Sequence, residues 1–158
     1  MKKLLITLLT VITVSVSANA QLYLGGNAGL SVGAASGNTN VSFLIAPEIG
    51  YDFNESIAAG IALSFSNPSA FYASPYFRYY FTKAGNCRFL LDAIFDVGSA
   101  SSSFSWGAGI NPGLAVSLND HWGIVTHLGR IGVQGIQGST AFEFRVLGGA
   151  GVGFYYHF

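Results

Sequence analysis

The sequence predicts an all-β protein, an eight-stranded antiparallel up-and-down transmembrane β-barrel, and three observations carry the prediction. Of 158 residues, 51% are hydrophobic and 9% charged, with 21 Gly, 13 Phe and 8 Tyr at a formal net charge of +0. Soluble domains carry about 25% charged residues, so this chain lacks the means to keep a whole surface wet. Apolar side chains recur at every second position over most of the length, the period of strands rather than helices. After the first twenty residues no apolar run reaches the roughly 18 that a spanning helix needs. Such a chain can cross a bilayer only as a closed sheet, because each unpaired N–H or C=O in hydrocarbon costs several kcal/mol.

The chain opens with a leader. Lys2-Lys3 precede an apolar run from Leu4 to Val16, and Ala18-Asn19-Ala20 stands before Gln21. These are the three parts of a secretory signal peptide, expected to be cleaved after Ala20. The run is too short for a spanning anchor, and no Cys near the cut would accept a lipid. Residues 21–158 then form one domain with five basic and seven acidic side chains. One Cys in the chain makes neither a disulfide framework nor a Cys-based zinc site.

Eight runs are expected near 22–34, 41–52, 56–66, 71–82, 88–98, 104–118, 122–133 and 141–158. The fourth shows the pattern most fully: Phe71, Ala73, Pro75, Phe77, Tyr79 and Phe81 alternate with Tyr72, Ser74, Tyr76, Arg78, Tyr80 and Thr82. In the fifth, Phe89, Leu91, Ala93, Phe95 and Val97 alternate with Arg88, Leu90, Asp92, Ile94 and Asp96. The sixth sets Phe104, Trp106, Ala108 and Ile110 against Ser105, Gly107, Gly109 and Asn111. Turn chemistry separates the runs. Asp52 to Ser56, Lys83 to Asn86 and Asn119 to His121 lie on alternate connections, while Ser36 to Asn38, Asn67 to Ser69, Ser99 to Ser103 and Gly135 to Ser139 form the others. Eight strands of roughly eleven residues match the 9 to 11 needed to cross at a tilt. A barrel of that size has an interior that side chains or one small ligand can fill.

With the Phe-rich face toward lipid, parity sends Glu48, Arg78, Arg88, Asp92, Asp96, His127, Glu143 and Arg145 inward, together with Tyr72, Tyr76, Tyr80 and Tyr155. Both signs of charge are present, which predicts a mutually neutralised network filling the lumen. Gly25, Gly29, Gly107, Gly109, Gly113, Gly149, Gly151 and Gly153 share that face and make room for the large side chains. Gly148-Gly149-Ala150-Gly151 lacks the strand-to-helix context and the Lys-Ser/Thr of a phosphate loop.

No catalytic motif stands out. His121, His127 and His157 have no helical i, i+4 pairing of a zinc site, no G-x-S-x-G occurs, and nothing selects a Ser to join His127 in a triad. Cys87 beside Arg88 falls in an expected turn and is treated as incidental. The sequence therefore calls for no catalytic residue, metal or cofactor.

At the last run Phe142, Phe144, Val146, Ala150, Val152, Phe154, Tyr156 and Phe158 alternate outward to a terminal Phe. This resembles the C-terminal strand of bacterial outer-membrane β-barrels. The resemblance implies that Phe154, Tyr156 and Phe158 form a signal read by the barrel-assembly machinery. Pro47 to Phe53, Pro75 to Phe81 and Pro112 to Trp122 resemble the small outer-membrane β-barrel domain family, of OmpA/OmpX-type size and common in Bacteroidetes. By that resemblance the three tight turns face the periplasm. The four outer connections, counted at about four to seven residues, are shorter than in better-known members. Two aromatic girdles are expected, with Tyr51, Phe53, Phe81, Phe89, Trp122, Tyr156 and Phe158 at one end and Phe43, Phe65, Phe71, Phe104, Trp106 and Phe142 at the other.

The functional expectation is a non-enzymatic, monomeric outer-membrane barrel with a filled polar lumen. Its partners are membrane lipid and lipopolysaccharide, with the assembly machinery during biogenesis and no nucleic acid. The alternatives are a narrow solute channel and a barrel enzyme acting on lipid A. A soluble ligand-binding barrel would show the reverse distribution of polar and apolar faces.

Overall fold

A computed structural model describes residues 21–35, 38–67, 70–100, 103–136, 138–146 and 152–158, with the backbone alone for 30–42. The leader and the expected inward Gly149 and Gly151 lie outside the described residues. Among the described residues there are ten strand segments: β1 (Gln21–Ala35), β2 (Asn38–Asn54), β3 (Ile57–Ser66), β4 (Ala70–Ala84), β5 (Cys87–Ala100), β6 (Ser103–Ser117), β7 (Trp122–His127), β8 (Gly129–Ile136), β9 (Ser139–Val146) and β10 (Val152–His157). Each of β1 to β6 pairs antiparallel with the next. Both β7 and β8 pair with β6, forming one wall element, and β9 and β10 form the eighth against β8 and β7. Pairing of β10 with β1, from Tyr23↔His157 to Ala28↔Val152, closes the eight-stranded antiparallel barrel.

The turns at the end near Gln21 and Phe158 are held by the residues their chemistry predicts. The Asn54 side-chain oxygen accepts from Ser56 N at 2.8 Å and Ile57 N at 3.0 Å, an Asx turn. The Asn119 carbonyl likewise accepts from His121 N and Trp122 N at 2.9 and 2.8 Å. Gly85, between β4 and β5, has φ of 62°, a region that L side chains rarely adopt. The connections at the opposite end are shorter than expected. Two residues join β1 to β2, β5 to β6 and β8 to β9, and three join β3 to β4. The missing length lies in the strands, which reach 15, 17, 15, 14 and 15 residues in β1, β2, β4, β5 and β6. Cys87 consequently opens β5 and is half-buried rather than sitting in a turn.

The expected seventh run, continuous to residue 133, needs a larger correction. Its ladder with β6 passes from Gly113↔His127 to Ile110↔Ile131, so one extra residue is inserted around Leu128. Leu128 N still donates to Pro112 O at 2.8 Å. Such a bulge exchanges the two faces of everything beyond it. Val125 and His127 face the lumen before it, and Arg130 and Gln134 after it.

The apolar surface is outside. Phe77, Phe81, Phe95, Phe104, Phe144 and Phe154 are all exposed, and among the described residues Phe142 is the most exposed of the large apolar side chains, at 72%. From Phe89 to Val97 on β5 the outward band covers nine residues, about 23 Å of height at roughly 3.3 Å per residue and 40° of tilt, close to the ~25 Å apolar band of membrane barrels. Aromatic pairs rim its two ends. Trp122–Tyr156 at 5.1 Å, Tyr156–Phe158 at 5.1 Å and Phe81–Phe89 at 6.0 Å lie at one, and Phe65–Phe71 at 5.2 Å at the other.

Candidate functional site in the lumen

The interior is built around tyrosines laid on glycines of neighbouring strands. A Cβ at Gly50 would overlap the Tyr23 ring, one at Gly60 the Tyr76 hydroxyl, and one at Gly25 the Tyr155 ring. The space left by each missing side chain admits a ring across the ladder, so the rings reach the barrel axis. Tyr23 OH meets Tyr76 OH, Tyr76 OH donates to Glu48 Oε1, and Tyr155 OH donates to Glu48 Oε2 at 2.7 Å.

Arg78 completes this layer. Its Nε and Nη2 donate to Asp92 Oδ1 and Oδ2 at 2.7 and 2.8 Å, a fork-on-fork geometry that is among the strongest charge-assisted pairs. Its Nη2 lies 3.6 Å from Glu48 Oε1, and its guanidinium sits 4.9 Å from the Tyr76 ring centre and 5.6 Å from that of Tyr155. Asp92 Oδ2 also faces His127 Nε2 at 2.8 Å. Arg78 is 1% exposed and Asp92 2%. One arginine thus stands between two carboxylates on different strands.

Two cavities flank the layer. One of about 540 Å³ opens among Gln21, Asp52, Lys83, Arg88 and His157, and one of about 240 Å³ lies above among Asn27, Ser74, Asp96, Asn111 and Arg130. Arg78 borders both, so its side chain and those around it stand as a partition across the lumen.

A second charged cluster lies toward the far end. Ser74 Oγ donates to Asp96 Oδ1 at 2.6 Å, Arg130 bridges Asp96 and Glu143 at 2.5 and 3.2 Å, and Arg145 meets Glu143 Oε1. A third lies at the wide cavity, where the Arg88 guanidinium stacks 4.1 Å over Tyr80 and His157 Nδ1 is 3.1 Å from Asp52 Oδ2.

The residues assigned inward by parity therefore separate into groups. Glu48, Arg78, Asp92 and His127 come together at the partition. Asp96, Glu143 and Arg145 join the far cluster, where the Arg145 side chain is 57% exposed and stands at the rim. Arg88 is apart from both. Sequence reasoning missed three contributors. Arg130 is absent from the inward set, because carrying the parity of His127 past the bulge at Leu128 sends it to the lipid side. Asp52 falls at the shared boundary of the second run and its turn in the sequence and is not counted inward, yet it lies within β2 and is buried. Tyr23 was passed over, although its parity matches Gly25 and it is 1% exposed. Among the described residues, no group of three His, Cys, Asp or Glu is placed to hold a metal ion.

No family model and no curated protein matches this chain. Among solved structures it is similar to the crystal structure of Neisserial surface protein A, with 14% sequence identity and a TM-score of 0.59 over 89% of this chain and 99% of that one. At that identity the likeness shows the fold: a closed eight-stranded antiparallel barrel.

Proposed function

We propose that this chain is an integral outer-membrane protein, exported by a leader cleaved after Ala20, whose barrel serves as a sealed, non-enzymatic structural element of the envelope. The observation that carries this reading is the inverted distribution of side chains. Arg78, Asp92 and Glu48 are buried inside the barrel while twelve of the thirteen phenylalanines are exposed on its outer surface. Only a surrounding hydrocarbon makes that arrangement favourable, since a soluble barrel would expose the opposite set. The similarity to a surface barrel supports the same location. The Arg78 partition argues against solute passage, because a permeant ion would have to displace a bidentate ion pair. Connections of two or three residues leave little area for a protein partner. The exposed apolar belt and its aromatic rims suit contact with lipid and with lipopolysaccharide, and Phe154, Tyr156 and Phe158 suit recognition by an assembly machine.

The test is fractionation followed by gel electrophoresis and bilayer recording. The mature protein is expected in the urea-resistant outer-membrane fraction, its unboiled band migrating differently from its boiled band, and without discrete conductance in planar bilayers. A soluble, non-shifting protein would overturn the location, and steady single-channel openings would overturn the sealed lumen.

A further inference from the structure

We propose that cleavage of the leader creates a structural ion pair, in which the new α-ammonium of Gln21 fills a vacant acceptor on the buried carboxylate of Asp52. The inference rests on reading residues 1–20 as a cleaved leader, and four observations within the barrel point to it. Asp52 is 8% exposed, and its Oδ1 has no hydrogen-bond partner while Oδ2 faces His157. A buried carboxylate oxygen without a donor is expensive, so the position calls for one. Gln21 and Asp52 are direct partners in the β1–β2 ladder. Both border the wide cavity, on the same side of the wall.

The fourth observation is the direction of the backbone. Leu22 O accepts from Phe158 N at 3.0 Å, so the polar groups of Leu22 point to the β10 side. Successive residues of an antiparallel strand direct their N–H and C=O to opposite neighbours. The nitrogen of Gln21 is therefore aimed at β2, at the backbone of Asp52, the residue whose carboxylate stands on the same inner face. While residue 20 is attached, that nitrogen is an amide with one hydrogen, which the ladder uses. Hydrolysis of the Ala20–Gln21 bond by the export peptidase adds water's hydroxyl to Ala20 and leaves a protonated amine. That group has two further donors and a positive charge, beside an acceptor that lacks both.

The pair would act as a maturation latch. It adds a charged tie to the backbone pairing already present between the first residue of β1 and β2, and only after the leader is gone, at the seam where β1 must also receive β10 to close the barrel. It would also protect the new terminus. An N-terminal glutamine with a neutral amine cyclises, its nitrogen lone pair attacking the side-chain Cδ as the Cδ–N bond breaks and ammonia leaves. An ammonium held by Asp52 has no lone pair to attack with.

The experiment uses the processed protein extracted from membranes. Its only lysine after residue 20 is Lys83, an exposed residue, so Lys83→Gln leaves the Gln21 amine as the sole primary amine. Intact mass is measured first. A chain that does not begin at Gln21 refutes the leader reading, whereas one that does and has lost an ammonia refutes the protective pair alone. The rate of acylation by an amine-reactive ester is then compared for folded protein in micelles and unfolded protein in urea. Pairing with a carboxylate predicts folded labelling about tenfold slower or more, and Asp52→Asn should recover most of that factor. Asp52→Ser, which admits water beside the amine, replaces it if the first variant does not give the folded gel band. Equal folded and unfolded rates, or slow labelling that persists in the Asp52 variants, would overturn the latch.

Discussion

Replacing Arg78 with alanine removes the one cation that the partition depends on, and the structure sets the size of the effect. Asp92 loses a bidentate partner at 2.7 and 2.8 Å, and Glu48 loses its cation at 3.6 Å. Leaving a buried charge without its partner costs about 3–5 kcal/mol. The lower half of that range is expected here, because Asp92 keeps His127 at 2.8 Å and Glu48 keeps two tyrosine hydroxyls. Arg78→Lys retains the charge but not the fork, and should cost about half as much. The assay is equilibrium unfolding in urea with lipid vesicles, followed by the shifted gel band. A second readout separates the barrier from the stabiliser. Arg78→Ala joins the cavities of about 540 and 240 Å³, so it should raise ion conductance over the parent protein, whereas Arg78→Lys should raise it less. The reasoning fails if Arg78→Ala unfolds at the parent's urea concentration and stays electrically silent.

Three further outcomes follow from particular contacts. Gly50→Val should displace the Tyr23 ring that lies over it, break the Tyr23–Tyr76 contact, and cost about 1–3 kcal/mol by overpacking in the same unfolding assay; an unchanged midpoint would mean the ring has room to move. Arg130→Gln leaves Asp96 and Glu143 without their shared cation and should destabilise by about 1–3 kcal/mol, less than a fully buried pair because Ser74 stays with Asp96 and Arg145 with Glu143; stability within error of the parent would refute the bridge. Deleting Leu128 removes the inserted residue and should turn Arg130 and Gln134 toward lipid, so the protein should fail to give a heat-shifted band when refolded, while Leu128→Ala should still give one.

What was legible in the sequence follows from what period two can carry. On β4 and β5 the alternation runs unbroken through the positions that matter, and Arg78 and Asp92 fall opposite each other in the ladder as parity implies. Irregularities there come only at Tyr80/Thr82, beyond the partition. Parity is a running count, however, and one inserted residue reverses everything after it. That is why Arg130 was lost while Glu143, on the neighbouring strand, was not. The signal was present: His127 is polar on one parity, Arg130 and Gln134 on the other, with Ile131 and Val133 between. A polar stripe that changes parity partway along a strand is what a bulge leaves in a sequence.

Asp52 shows a different limit. Asp-Phe-Asn-Glu-Ser has the composition of a turn, but composition cannot say which of its residues begins it. The Asn54 carbonyl makes that choice by capping Ser56 and Ile57, which leaves Asp52 two residues back, inside the wall and facing the axis. The buried carboxylate with an open acceptor is then a consequence of where an Asx turn starts. Local hydrogen bonding at the rim thereby decides how far the polar interior extends, and whether the first residue after the leader meets a partner there.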